Sequence, residues 1–540
     1  KLESELRAVD PVHAELFSTV LVQDVRGRMK PMHTLSREVI RKLMGKESYR
    51  GLDADQLLLS VWADNQAWYA EAMIKLPHHP KFESLGFEDD YQAYKAFFNP
   101  DGSYKLSAEV QAANAVIDKE KGTWEKALLK LDEKVNIFNM MLSGYLLKVV
   151  PLEEDINNTW VSAYAHGEQS SIVADKLFPA YKEALKRGLK SGDFKLANEI
   201  ILELMKYQNA QSPELLPSDG QRSLEILLNK LKVFNRLALI NILLGLGFLV
   251  LLFIQIFRPR ASYLKAHQIL FGAMALAFIL HTIGLGLRWY VSGRAPWSNG
   301  YESMIYIAWT SSLAGLLFSR KSSGALAATN VLSGLVLLIA MLSYLNPEIT
   351  PLVPVLRSYW LTIHVSLEAG SYGFLMLGAL IGIINLMLMI FLSPNNKSRI
   401  KDTVSEMTKL SEMTLIGGLF MLSIGTYLGG VWANESWGRY WGWDAKETWA
   451  LVSILVYAFL LHMRFVPGLR GLFAFNFASL FGLASIIMTY YGVNYYLSGL
   501  HSYAAGDPVP VPAWVYYSVA VLICISALAW FRQRKIWRTS

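Results

Sequence analysis

From Leu237 to the C-terminus, long apolar runs alternate with short polar loops, whereas the preceding residues mix Lys, Glu and Asp with apolar positions throughout. A bilayer core about 30 Å thick takes roughly 20 apolar residues to cross as a helix. Nine runs reach that length, near 237–257, 266–291, 301–319, 325–345, 360–392, 413–432, 447–465, 471–496 and 513–531. Upstream, "LSAEVQAANAVIDKEKGTWEKALLKLDEKVNIFNMML" and "DKLFPAYKEALKRGLKSGDFKLANEIILELMKYQNA" keep a helical period, the second interrupted at Gly188 and Gly192. "LPSDGQRS" reads as a break before the segment leading into the first crossing. The pattern predicts an all-α, polytopic helical membrane protein of about nine crossings. Residues 1–236 form a mostly helical extracytoplasmic domain, 237–257 the first transmembrane helix, and 258–540 a membrane domain.

Charge fixes the orientation. With these crossings, fifteen Lys and Arg fall in loops on one side, Arg258, Lys265, Arg320, Lys397 and Arg464 among them. Only Arg288, Arg294, Arg357, Arg439 and Lys446 fall on the other. By the positive-inside bias the first side is cytoplasmic, as is the C-terminus. Residues 1–236 and the loops near 293–300, 346–359, 432–449 and 497–512 then lie outside. The formal charge of +7 sits largely in loops, so it reads as topology rather than nucleic-acid binding. The chain starts at Lys1, without a Met or signal peptide, which fits a processed protein or part of a longer chain. Its single cysteine, Cys524, excludes a disulfide framework, a CxxC zinc site and an internal CxxCH haem-attachment site.

The loop "WGRYWGWDAKETW", 437–449, carries the chemistry. Residues 432–449 hold five tryptophans in 18 positions, where 16 in 540 would place about 0.5. A headgroup-level aromatic belt usually places one or two per helix end. Trp437, Trp441 and Asp444 stand at i, i+4 and i+7, which is one face if the loop is helical. Trp443 then points toward the bilayer surface. Gly429, Gly430, Gly438 and Gly442 admit a flat ligand at close range. The pattern describes a shallow apolar shelf sized for a planar aromatic molecule. Asp444 and Glu447 match a capping-box start for the next helix and are equally candidates for chemistry; neither role excludes the other.

Histidines sort by depth. His364 lies at the outer start of the fifth crossing and His501 in the outer loop after the eighth. Two outer histidines on separate segments could give an iron macrocycle one imidazole from each side. His462 lies 13 residues after Trp449, about 20 Å down a helix, where an ionisable residue is functional by default. His281 sits closer to the outer side, and His267 at the inner end, snorkelling or facing water. In the outer domain His78 and His79, in "LPHHP", read as a surface turn.

Taken with "LRWYVSGRAPWSNGYESMIYIAW", "WLTIHV", "LLHMR" and "NYYLSGLHSYA", the tryptophan loop resembles the WWD family of haem-handling membrane proteins. Within it the chain is similar to system II cytochrome c synthases, CcsA (ResC) preceded by a ResB-like portion as in the CcsBA fusions. The likeness runs from about residue 260 to 535, and upstream "VQDVRGRMKPMHTLSREV" is the suggestive stretch. The resemblance implies residence in a bacterial inner membrane. It implies haem b as bound substrate, with His364 and His501 as iron ligands at the outer site. It also implies His462 as a transmembrane ligand for haem on its way across. Trp437, Gly438, Trp441, Trp443, Asp444 and Glu447 match the motif that cradles the macrocycle.

The fused synthases begin with further crossings that supply a second transmembrane histidine, and this chain starts after them. Either an N-terminal ResB portion or separate subunit completes the inner site, or His281 or His267 substitutes. The implied activity is thioether formation between haem vinyl groups and the CxxCH cysteines of apocytochrome c, alongside thiol-reducing proteins and membrane lipid. The alternative is a delivery or export protein that hands haem to a chaperone without forming the bonds. Asp444 is the candidate general acid, with Glu447 beside it.

Overall fold

The computed structural model describes residues 6–153, 155–162, 171–211, 216–258, 262–342, 345–352, 356–497 and 511–537. The chain divides into two compact units, one built chiefly from residues up to Leu231 and one from Lys232 onward.

In the first unit, helices Met32–Met44, Ala54–Ala63, Thr123–Ser143, Ile172–Ser191 and Lys195–Gln211 close around Trp62, Phe138 and Leu185. Their ends follow local chemistry. Asp53 and Gln56 form a reciprocal capping box at the second, and Gly192, at φ 78°, ends the fourth. Gly188 does not interrupt that helix. A Cβ there would lie 2.6 Å from the Phe194 ring, so the position makes room for a core aromatic. The expected long helix over 106–142 is split, Ser107–Ala115 and Thr123–Ser143, around "VIDKEKG". Among the described residues, four two-stranded antiparallel pairs, such as Leu21–Gln23 with Met29–Pro31, join the helices. Strands of two to four residues carry no legible alternation.

In the second unit, eight helices among the described residues are long and apolar enough to cross a membrane, which makes this a multi-pass membrane protein. The run expected at 301–319 is also a helix, Gly300–Phe318, but falls outside those eight. Its Glu302, Thr310, Ser311 and Ser312 lower its apolarity, and all four are buried against protein. The 32-residue helix Tyr359–Ile390 is the bundle's axis, packed on Gly300–Phe318, Lys397–Trp437, Leu472–Ile487 and Ala513–Trp537. Small residues let it be approached from several sides, as membrane packing requires. A Cβ at Gly373 would sit 2.8 Å from the Ile307 carbonyl, and one at Gly382 2.8 Å from the Asn476 carbonyl. Asn385, Asn476 and Thr408 tie three helices together through buried side-chain hydrogen bonds.

Candidate functional site

The site is built where Tyr359–Ile390 meets Lys397–Trp437. His364 Nδ1 lies 2.7 Å from the Gly425 carbonyl oxygen. Because a carbonyl only accepts, Nδ1 carries the proton and the imidazole lone pair is on Nε2. Metal-binding imidazoles are commonly oriented in this way. The ring fits only because Gly429 faces it: a Cβ there would come within 2.6 Å of Cε1 and 2.7 Å of Nδ1. One residue on, a Cβ at Gly430 would lie 2.9 Å from the Tyr440 carbonyl. The tryptophan loop therefore folds back over the same end of the helix that seats His364.

That loop is not helical. Lys397–Trp437 ends at Gly438 (φ 71°), and the next helix, Ala445–His462, starts after its N-cap Asp444. Trp437, Trp441 and Asp444 thus share no helical face, because the left-handed turn at Gly438 breaks the 3.6-residue period between them. Trp432 and Trp437 meet edge to face at 4.8 Å, and Trp441 and Trp443 at 5.8 Å. Trp432 is buried, Trp441 half-buried, and Trp443 is 70 % exposed in a left-handed backbone conformation (φ 55°). The Trp441 indole Nε1 is buried without a hydrogen-bond partner among the described residues. Asp444 and Glu447 form the capping box in full. Asp444 Oδ1 accepts from the Glu447 amide at 2.9 Å, and Glu447 Oε2 accepts from the amides of Gly442 (2.7 Å) and Asp444 (3.3 Å).

Sequence reasoning passed over the polar residues beneath His364. Glu368, one turn further along, accepts from the Thr426 hydroxyl at 2.9 Å, and Lys446 donates to Asn494 at 3.1 Å. The available signal was an ionisable residue in an apolar run, "SLEAGSYG". Nearby, Met488–Gly492 forms a π turn whose Thr489 hydroxyl donates to the Trp449 carbonyl at 3.0 Å. Such turns often mark functional positions.

The remaining histidines are dispersed. His462 is the exposed last residue of Ala445–His462, about 27 Å along that helix from Asp444. Its Nδ1 is tied to the Ala458 carbonyl at 2.7 Å, so its lone pair too is on Nε2. His281 is buried, with Nε2 on the Ile305 carbonyl at 3.0 Å. His267 is engaged at both nitrogens, by Ser323 and the Arg320 carbonyl, and stays part-exposed. His501 lies outside the described residues. His79 packs against Trp124 at 5.0 Å while His78 is exposed, in keeping with a surface turn.

A wall of the unit comes from 288–309. Glu302 is fully buried and takes Arg288 on Oε1 (2.8 and 2.9 Å) and Arg294 plus the Ser298 amide on Oε2 (2.8 and 2.9 Å). Trp297 Nε1 donates to the Thr362 carbonyl at 3.1 Å, pinning this loop to the helix that carries His364.

Fold and site define a polytopic helical membrane protein with an oriented imidazole and an indole-rich loop at one end of a bundle. Residues 297–501, which include His364, the tryptophan loop and His462, match the family described as Cytochrome C assembly protein. CcsA, a cytochrome c biogenesis protein of Parasynechococcus marenigrum, is 36% identical over 296 residues, 49% of this chain and 96% of CcsA. CcsA of Prochlorococcus marinus is 35% identical over 266 residues, 43% of this chain and 82% of its own length. Protein NrfI of Wolinella succinogenes is 41% identical over 504 residues, 92% of this chain, and the chain spans 55% of NrfI's length. The chain belongs to the CcsA-type cytochrome c assembly family, and its role lies in cytochrome c biogenesis.

Proposed function

We propose that the protein is a cytochrome c synthase that presents haem b at the outer membrane face for thioether attachment to apocytochrome c. The observation that carries this reading is the His364 seat. An imidazole is fixed by a backbone carbonyl in the tautomer an iron ligand needs, against two glycines and beside the tryptophan loop. His364 and His501 ligate the iron from opposite sides. Trp437, Gly438, Trp441 and Trp443 hold the macrocycle, and the capping box of Asp444 and Glu447 sets the loop's shape. The enzyme needs no nucleophile of its own, since the CxxCH segment of the partner brings both sulfurs. Its contribution is to place vinyl groups and thiols at reacting distance. His462 serves as the inner ligand, its ring turned outward from this chain, so that a ResB-type portion or separate subunit supplies the second imidazole. Residues 1–236 lie outside with the loop and gather the unfolded partner.

The purified protein should carry haem with a low-spin, bis-imidazole spectrum. Replacing His364 or His501 by Gly should weaken that spectrum, and added imidazole should partly restore it. Co-expression with an apocytochrome, in a host lacking its own maturation genes, should yield covalent haem on the reporter. Bound haem without a covalent product would favour the delivery reading. A full spectrum in the double histidine variant would refute the outer-site assignment.

A further inference from the structure

His364 shares its face of the Tyr359–Ile390 helix with Glu368. Four-residue spacing puts the two side chains about 5–6 Å apart at Cβ. Both rest on one seam of the neighbouring helix: a Cβ at Gly425 would lie 3.0 Å from Glu368 Oε1, as one at Gly429 would strike His364. The Thr426 hydroxyl aims the carboxyl from that seam at 2.9 Å, and Tyr372 lies one turn deeper on the same helix. Lys446 acts on Glu368 electrostatically without closing an ion pair among the described residues. Residues 361–368 and 444–449 all keep part of their surface open, although helices surround them. The Glu368 carboxyl therefore shares the seam that seats His364, on the helix over whose end the tryptophan loop folds. Placing an ionisable group inside a membrane helix is costly, and such groups mark function by default. Nothing in the reading above uses this one.

The thioether reaction lacks one participant. Adding a cysteine across a vinyl group breaks the S–H bond and the C=C π bond. It forms an S–C bond to the internal vinyl carbon and a C–H bond at the terminal one. No electrons are lost or gained, but a proton must travel from sulfur to carbon. Vinyl groups sit on the rim of the macrocycle, so the acceptor carbon lies to the side of the iron. A carboxyl one helical turn from the axial imidazole is suitably offset.

Resting on the synthase reading, we propose that Glu368 is the proton relay of thioether formation. It takes the proton released by the thiol and delivers it to the terminal vinyl carbon, with Thr426 holding the carboxyl in place. Glu368 is then a catalytic residue, and Thr426 a positioning residue that acts through it.

The test uses the intact protein, purified for its haem spectrum and co-expressed with a CxxCH apocytochrome reporter. In Glu368→Gln, haem occupancy and the low-spin spectrum should match wild type while covalent product falls by about 10²-fold or more. Glu368→Asp should recover part of the rate. Thr426→Val, which removes only the hydroxyl, should slow product formation by about tenfold with haem retained. Covalent product at the wild-type rate in Glu368→Gln would overturn the assignment. Loss of haem from that variant, with the fold intact, would overturn it too by making Glu368 a binding group. Should Glu368→Gln not fold, wild-type rates in both Glu368→Asp and Thr426→Val would be just as decisive. If the wild-type protein held haem and formed no covalent product at all, the synthase reading would fail instead.

Discussion

A single methyl group at Gly429 should weaken haem binding without replacing any of the proposed ligands. In Gly429→Ala the new Cβ would lie 2.6 Å from His364 Cε1 and 2.7 Å from Nδ1, far inside contact distance. The glycine sits mid-helix, so the imidazole must give way, and swinging it aside breaks the Nδ1 bond to the Gly425 carbonyl. Loss of that bond costs about 1 kcal/mol, and forcing a methyl into a packed seam about 1–3 kcal/mol. Together, about 2–4 kcal/mol corresponds to an affinity loss of about 30- to 700-fold for haem. The assay is a haem titration of purified protein, followed by the low-spin absorption bands, with and without free imidazole. Gly293→Ala is the control. Its strained backbone (φ 66°) costs about 1–2 kcal/mol, yet a Cβ there meets nothing within 4 Å, so the spectrum should persist. Wild-type haem affinity in Gly429→Ala would refute the claim that this glycine seats the ligand.

Three further outcomes follow from other parts of the chain. Glu302→Ala leaves the buried Arg288 and the half-buried Arg294 guanidiniums without their carboxylate and should cost about 3–5 kcal/mol; an unchanged thermal midpoint in detergent would contradict that role for Glu302. Glu447→Ala removes the acceptor for the Gly442 and Asp444 amides, worth about 1–2 kcal/mol, and should speed proteolysis of the tryptophan loop, whereas Asp444→Asn, still a good cap, should leave the loop intact. Product lost in Asp444→Asn with the loop intact would assign that carboxylate to chemistry. In the first unit, burial pulls Lys134 down to about 8 from 10.5, aided by Lys130 and Lys75. The unfolded chain then holds more protons between those values, so denaturant stability should rise with pH across that window; Lys134→Met should flatten the rise, and an equal slope in both proteins would exclude Lys134 as its source.

The hydropathy pattern made the membrane helices legible because crossing a bilayer demands long apolar runs with internally satisfied backbones. Gly300–Phe318 was found by the same pattern even though its polar side chains turn inward. The short strand pairs escaped because two to four residues are too few for alternation to register. At the site, tryptophan density located the loop, while its shape depended on where the helix stops. One left-handed glycine, Gly438, decides that stop and undoes an i, i+4, i+7 reading that assumed continuity. Glu368 was passed over because attention to histidines left the one acid of its run unexamined, and its neighbours come from other helices. The seat of His364 was illegible for a related reason: Gly425 and Gly429 lie more than sixty residues away, and only packing makes them its partners.

That His364 leans on a main-chain oxygen has a chemical corollary. A peptide carbonyl does not ionise, so the electron donation it lends an imidazole stays constant across pH, unlike that of an aspartate in the same place. Nor can any exchange of side chain delete the acceptor. The donation to this imidazole is thus insulated from acidity and from any exchange at Gly425 itself, and only a neighbour that moves the ring, as at Gly429, can retune it.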